Sequence, residues 1–190
     1  MLIRVCLLVS VLSFLVGCSS ALTPYTDNPD QKLSYAYYLM NQDRVYAAQR
    51  LGEEALEDFT ALNDKFGMAE SHIFLSSLYK KHANPTNPNF HSVAPDFDPQ
   101  KGKAVFHAEH SIELFSQLEH LTQVAKAEFV LANFYISTSK ITQGCELYDK
   151  SLINYEKGLA LEPESGFEIN NPHYDNFPEM VKAFRADHCA

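Results

Sequence analysis

Between Ile141 and Leu159 apolar side chains recur at spacings of four and three: Ile141, Cys145, Tyr148, Leu152, Tyr155 and Leu159. That period lays one apolar stripe along an α-helix. Glu146, Asp149, Lys150, Glu156 and Lys157 fall off the stripe, toward solvent. The segment before it, Ala125 to Ser137, is apolar nearly all round through Phe129, Val130, Leu131, Ala132, Phe134, Tyr135 and Ile136, so it needs neighbours on several sides. A striped helix beside an all-round apolar one is the interior of a helical stack, and the chain is expected to be all-α.

The remaining segments extend the pattern. Lys32 to Asn41 is predicted as a short aromatic-rich helix, and Asp43 to Asn63 as a longer one with Ala48, Leu51, Ala55, Phe59 and Leu62 on one side. Phe66-Gly67 reads as a break, followed by a helix over Ala69 to His82 with Ile73, Leu75, Leu78 and Tyr79 apolar. Residues 83–99 form a Pro-rich loop holding four of the nine prolines; loops of this length inside a domain are commonly functional, and a tolerated insertion is the alternative. Asp98-Pro99 then supplies an N-cap carboxylate and a Pro at the first helical position. The helix it opens carries Val105, Ala108, Ile112, Phe115 and Leu118 inward. After Pro163 the chain is irregular through Pro178, and a last short helix with Met180, Val181, Ala183 and Phe184 is expected to cap the stack.

A chain of 190 residues, 46% hydrophobic and 21% charged, suits one domain with a real core. A formal net charge of −9 with only 15 Lys and Arg argues against nucleic acid and against an anionic membrane surface as partners.

Residues 1–17 have one Arg near the start and then a run from Val5 to Val16 that is almost uninterruptedly apolar, too short to span a bilayer comfortably, which reads as a signal peptide. Leu15-Val16-Gly17-Cys18 resembles the lipobox of bacterial lipoproteins. The resemblance implies cleavage before Cys18, a diacylglycerol thioether and an acylated amine on that residue, and anchoring more secure than a single acyl chain gives. Ser19, where an Asp commonly signals inner-membrane retention in that family, implies the periplasmic face of the outer membrane. Residues 18–30 then read as the lipidated Cys and a flexible tether, and residues 31–190 as the helical domain.

An internal repeat runs through that domain. Ala69 to Tyr79 (AESHIFLSSLY) and Ala125 to Tyr135 (AKAEFVLANFY) share the first Ala, the Leu at the seventh place, a small residue at the eighth and the closing Tyr. The following helices supply small residues and rings, Ala108, Ile112 and Phe115 in one case and Gly144 and Tyr148 in the other. A fainter copy covers Pro29 to Leu56 through Ala36, Leu39, Ala48 and Ala55. The pattern resembles the tetratricopeptide repeat (TPR), and Tyr155 to Ser165 looks like the end of one. It departs where Gly52 stands in place of an aromatic, where the Pro-rich segment interrupts the middle repeat, and where the terminal Pro comes late. The fold implied is a short TPR-like solenoid of antiparallel helix pairs with a C-terminal capping helix. By analogy with that family the concave face is lined by the first helix of each pair, which makes Tyr37, Asn41, Glu70, Ser77, Lys81, Lys126 and Asn133 the candidate partner-binding residues.

Chemistry-bearing residues are sparse. In an oxidising compartment Cys145 and Cys189 are expected to form a disulfide that pins the last helix to the central one. His107 and His110, three apart with Glu109 and Glu113 nearby, form the only close His pair; a solvated or partly packed helical face is the favoured account, and two ligands for a divalent ion, with Asp96 or Asp98 added, the rival. No phosphate loop, nucleophile turn or paired carboxylates are present, so no catalytic residue, metal or cofactor is assigned. The expected function is non-enzymatic: a lipid-anchored scaffold or assembly adaptor for a protein or peptide at the cell envelope. A metal-binding or hydrolytic lipoprotein and a purely structural one are the alternatives, and a dimer is compatible with three repeats.

Overall fold

The computed structural model describes residues 25–81, 102–169 and 171–189. The predicted signal peptide, Cys18, most of the tether, the loop 83–99 and the Asp98-Pro99 start lie outside these residues. Seven α-helices follow one another: α1 (Pro29–Asn41), α2 (Val45–Ala61), α3 (Lys65–Lys81), α4 (Gly102–Gln117), α5 (Leu121–Ser137), α6 (Ile141–Leu161) and, after a short 3-10 turn at Pro163–Ser165, α7 (Phe177–His188). Among the described residues there is no strand, and each helix packs on the next in sequence, as expected of an all-α stack of antiparallel pairs. In addition α1 touches α3 and α3 touches α5, so the odd-numbered helices form a row. No described helix is long and apolar enough to cross a membrane.

One turn design explains the antiparallel path. Asp43, Asn63, Glu119 and Ser139 each adopt a positive φ of 55–62° just past a helix end. The next residue then donates its backbone N–H to a carbonyl five residues back: Arg44 to Leu39, Asp64 to Phe59, His120 to Phe115 and Lys140 to Tyr135, at 2.8–3.1 Å. This is the Schellman arrangement, here without glycine at the left-handed position. It satisfies the last carbonyls while reversing the chain in three residues.

Three predicted boundaries move for local reasons. The turn after α2 is Leu62-Asn63-Asp64 rather than Phe66-Gly67, which lies in the first turn of α3; Asp64 accepts from the N–H groups of Phe66 and Gly67 at 3.0 and 3.1 Å. Leu62, expected on the inner side, caps α2 and is 67% exposed. The domain starts two residues before position 31, because Asn28 caps α1 through the Gln31 N–H and Pro29 opens it. The same device opens α7, with Asn176 accepting from Glu179 N–H and Pro178 in the first turn, so Pro178 starts a helix rather than ending the irregular stretch.

The core runs the length of the stack. Leu33, Ala36, Leu39, Ala48, Leu51, Ala55, Phe59, Phe74, Leu75 and Leu78 close α1–α3, and Phe115, Val124 and Ala127 with Ile73 join α3–α5. Small residues set the closest approaches. A methyl group on Gly52 would enter the Phe74 ring, so the space over Gly52 is filled by an aromatic from α3. On α6 the fully buried line is Gly144, Tyr148, Ser151, Tyr155 and Gly158. It shares Tyr148 and Tyr155 with the apolar stripe and otherwise runs beside it: Ile141 is 42% exposed, and Cys145, Leu152 and Leu159 are half-buried. The seam with α5 combines the rings of Tyr148 and Tyr155 with residues small enough to let two backbones meet.

Candidate functional site

The predicted partner residues occupy the row α1–α3–α5, and most of them already hold the helices to one another. Glu70 on α3 accepts from Lys126 on α5 at both carboxylate oxygens, 2.9 and 3.0 Å, with the two side chains 19% and 30% exposed. Lys126 also lies 5.9 Å above the Phe167 ring. Tyr37 on α1 is half-buried and set edge-on to Phe74, with centroids 4.8 Å apart. Burial, reinforced by the Glu70 charge, pushes its hydroxyl pKa up, so the phenol stays protonated. Tyr37, Glu70 and Lys126 therefore run as one line across the three helices.

Lys81 closes the far end of the row by donating to Asp43 at 2.9 Å and to the Met40 carbonyl at 3.2 Å, beside exposed Asn41. Ser77 is half-buried one turn earlier. Asn133 belongs elsewhere: its amide donates to the Phe129 carbonyl at 2.8 Å and accepts the Tyr148 hydroxyl at 3.0 Å, in the α5–α6 seam.

The second constellation is polar and lies in the seam of α3 with α4. His107 does not pair with His110 toward solvent. Its Nδ1 stands 2.8 Å from Nδ1 of His72, and its ring stacks on Tyr79 at 5.5 Å and 18°. His110 stacks on His72 at 5.4 Å and 25°, with its Nδ1 2.9 Å from the Phe106 carbonyl oxygen. Tyr79 donates to Glu53 on α2 at 3.1 Å, and the Lys103 ammonium sits 5.0 Å over the Tyr79 ring with no hydrogen-bond partner among the described residues. Burial, then His72, His110 and Lys103, press the His107 pKa down to about 2, so its imidazole is neutral. Burial lowers the Lys103 pKa as well, opposed by Glu53.

Rings that stack and nitrogens that hydrogen-bond to each other do not converge on one ion. Among the described residues no three His, Cys, Asp or Glu side chains are placed to hold a metal. Asp96 and Asp98 lie outside those residues.

Cys145 and Cys189 form the disulfide expected of them, with Cα atoms 5.8 Å apart. It fastens the end of α7 to the start of α6, and Arg185 to Asp149 at 2.6 Å adds an exposed ion pair between the same helices. A cleft of about 490 Å³ opens where α5 begins, lined by Phe66, His120, Gln123, Glu162 and Glu164 among others.

Sequence spacing missed His72, which is 35 residues from His107 and joined to it only by the α3–α4 contact. It also missed Glu128, buried on α5 and bound by Asn154 of α6 at 2.8 Å; burial raises its pKa against that hydrogen bond. The available signal was the one carboxylate in the mostly apolar run 124–136, beside Lys126 and Asn133.

Comparison with protein-family models, with curated proteins and with solved structures returns no match for this chain. What the described residues define is a class: an all-α protein of consecutive helix pairs, closed at its C-terminal end by a disulfide.

Proposed function

We propose that the protein is a non-enzymatic, lipid-anchored scaffold or assembly adaptor at the periplasmic face of the outer membrane, holding a protein or peptide partner on the α1–α3–α5 row in the manner of a TPR-like repeat. The observation that carries this reading is the row itself, three helices in series with polar side chains spread along it. Stacked helix pairs of this kind offer an extended surface suited to a chain segment or helix rather than to a small substrate. The lipobox-like Leu15-Val16-Gly17-Cys18 supports the anchor, and a net charge of −9 favours a partner with a basic face.

The internal bonding sharpens which residues do what. Glu70 and Lys126 neutralise each other, so their role is to set the spacing of α3 and α5, whereas Asn41 and Ser77 are the contact positions. The test is photo-crosslinking in cells from Asn41 and Ser77 of the full-length protein, with Glu57 on α2 as the control position. One partner captured from both face positions and absent from the control is the expected result. Equal labelling from all three, or none above background, overturns the proposal. Labelling with a palmitate analogue, lost in Cys18→Ser, tests the anchor separately.

A further inference from the structure

Beside its apolar packing and the Ser76–Ala104 hydrogen bond, the seam between α3 and α4 holds three imidazoles, His72, His107 and His110. His72 and His107 face each other through their Nδ1 atoms at 2.8 Å, a separation that requires one hydrogen between the two nitrogens. One ring donates and the other accepts. A proton added to the accepting ring must go to Nδ1, because its other nitrogen already carries hydrogen, and two N–H groups then point at each other. A proton added to the donating ring goes to Nε2 and keeps the bond, but leaves an imidazolium in the seam. For His107 either assignment is unfavourable, since the charged groups that shift it among the described residues are all bases.

Those groups are His72 from α3, and His110 and Lys103 from α4 itself. The α5 helix, packed on the other side of α4, contributes none of them. Tyr79, stacked on His107, is a phenol whose hydroxyl donates to Glu53 of α2, and Glu53 also acts on Lys103. The seam therefore already holds one ammonium without a hydrogen-bonding counter-charge among the described residues. Two buried hydroxyls on the same helices, Ser71 and Ser111, also lack partners there.

We propose that this seam is an acid-sensitive joint: protonation at the His72–His107 pair loosens α4 from α3, while the α5–α7 end, closed by Cys145–Cys189, stays folded. The sign follows from linkage. Neutral in the docked state and basic when exposed, His107 adds stability to docking above its unperturbed pKa of about 6.5 and loses it as pH falls below that value. For one histidine the opening equilibrium grows by about tenfold between about pH 7.5 and about pH 5.5.

The experiment is hydrogen exchange of the full chain at those two pH values, corrected for intrinsic rates and read on peptides from α4 and α6. Protection of α4 falls by about tenfold in acid and that of α6 does not change; in His107→Phe, which keeps a ring against Tyr79 but takes no proton, the fall disappears. Unchanged α4 protection in the native chain, or an undiminished fall in His107→Phe, overturns the proposal. Should that variant fail to fold, the imidazole resonances of the native protein decide. A His107 ring that stays neutral until α4 opens supports the joint, and one that titrates near its ordinary value in the docked protein with α4 still protected refutes it.

Discussion

The α5–α7 end and the α3–α4 seam each bury a cluster of rings, and the rings are of different chemistry. At the end, Phe177 is 1% exposed and meets Phe129, Tyr155 and Phe167 at centroid distances of 5.0–5.7 Å, and a covalent bond fastens α7 to α6. In the seam, His72, His107 and His110 stack with Tyr79 and Phe106, and three of the four buried polar atoms without a partner among the described residues belong to α3 or α4. Apolar rings are indifferent to pH and a disulfide answers only to reductant, whereas imidazoles answer to protons. The two regions should therefore fail under different conditions, and each can be broken while the other is watched.

The sharpest break is Phe177→Ala, which removes the ring at the centre of the terminal cluster. It is expected to lower stability by about 3–5 kcal/mol in denaturant unfolding, with the loss of protection concentrated on α7. Replacing both cysteines, Cys145→Ser with Cys189→Ser, releases a loop closed over a sequence separation of 44 residues and costs up to about 4 kcal/mol by the chain-entropy relation. Proteolysis should then begin between Gly166 and His188 while α1–α4 stay resistant; cleavage spread evenly over the chain would remove the contrast between the regions.

Gly158→Ala tests the same end through backbone contact. The added methyl group would lie 2.7 Å from the Thr122 nitrogen, which cannot swing aside, and the expected loss is about 1–3 kcal/mol. The middle seam is addressed by acid. Because the His107 pKa is lowered to about 2 when docked and is about 6.5 when exposed, stability falls between those values by up to about 1.4 kcal/mol per pH unit, a slope that His107→Phe should flatten.

The smallest effects sharpen the comparison from the opposite side, where the two regions share a device. Ser76 donates to the Ala104 carbonyl across α3–α4, and Ser151 donates to the Ala125 carbonyl across α5–α6, each at 2.7 Å and buried. Ser76→Ala and Ser151→Ala should each cost about 0.5–1.5 kcal/mol in thermal unfolding at neutral pH. A much larger loss for one would mean that its seam depends on that bond more than the matching geometry implies.

Much of this was legible in the residues. The three- and four-residue period placed every described helix, and the paired segments starting at Ala69 and Ala125 bury their first, seventh and eighth residues alike, from Ala69, Leu75 and Ser76 to Ala125, Leu131 and Ala132. The cysteine pair was legible from the number of thiols left after Cys18, given the expectation of an oxidising compartment. The turns were not, because Asp43, Asn63, Glu119 and Ser139 take the left-handed conformation without the glycine that announces it, and Gly67 drew attention to the wrong place. The buried line of α6 was also displaced from the apolar stripe, since Gly144 and Gly158 are buried by the nearness of α5 rather than by their own hydrophobicity.

By itself, then, the sequence determined the class of fold, the succession of helix pairs and the partners of the disulfide, all of which follow from periodicity and residue type within a few turns of chain. Only the tertiary structure decided that Glu70 and Lys126 spend their charges on each other, that Phe74 fills the space over Gly52, and that His107 faces His72 rather than solvent. These are distances between helices. Local pattern fixes which face of a helix is buried, and the packing of that face against its neighbours fixes which buried groups meet.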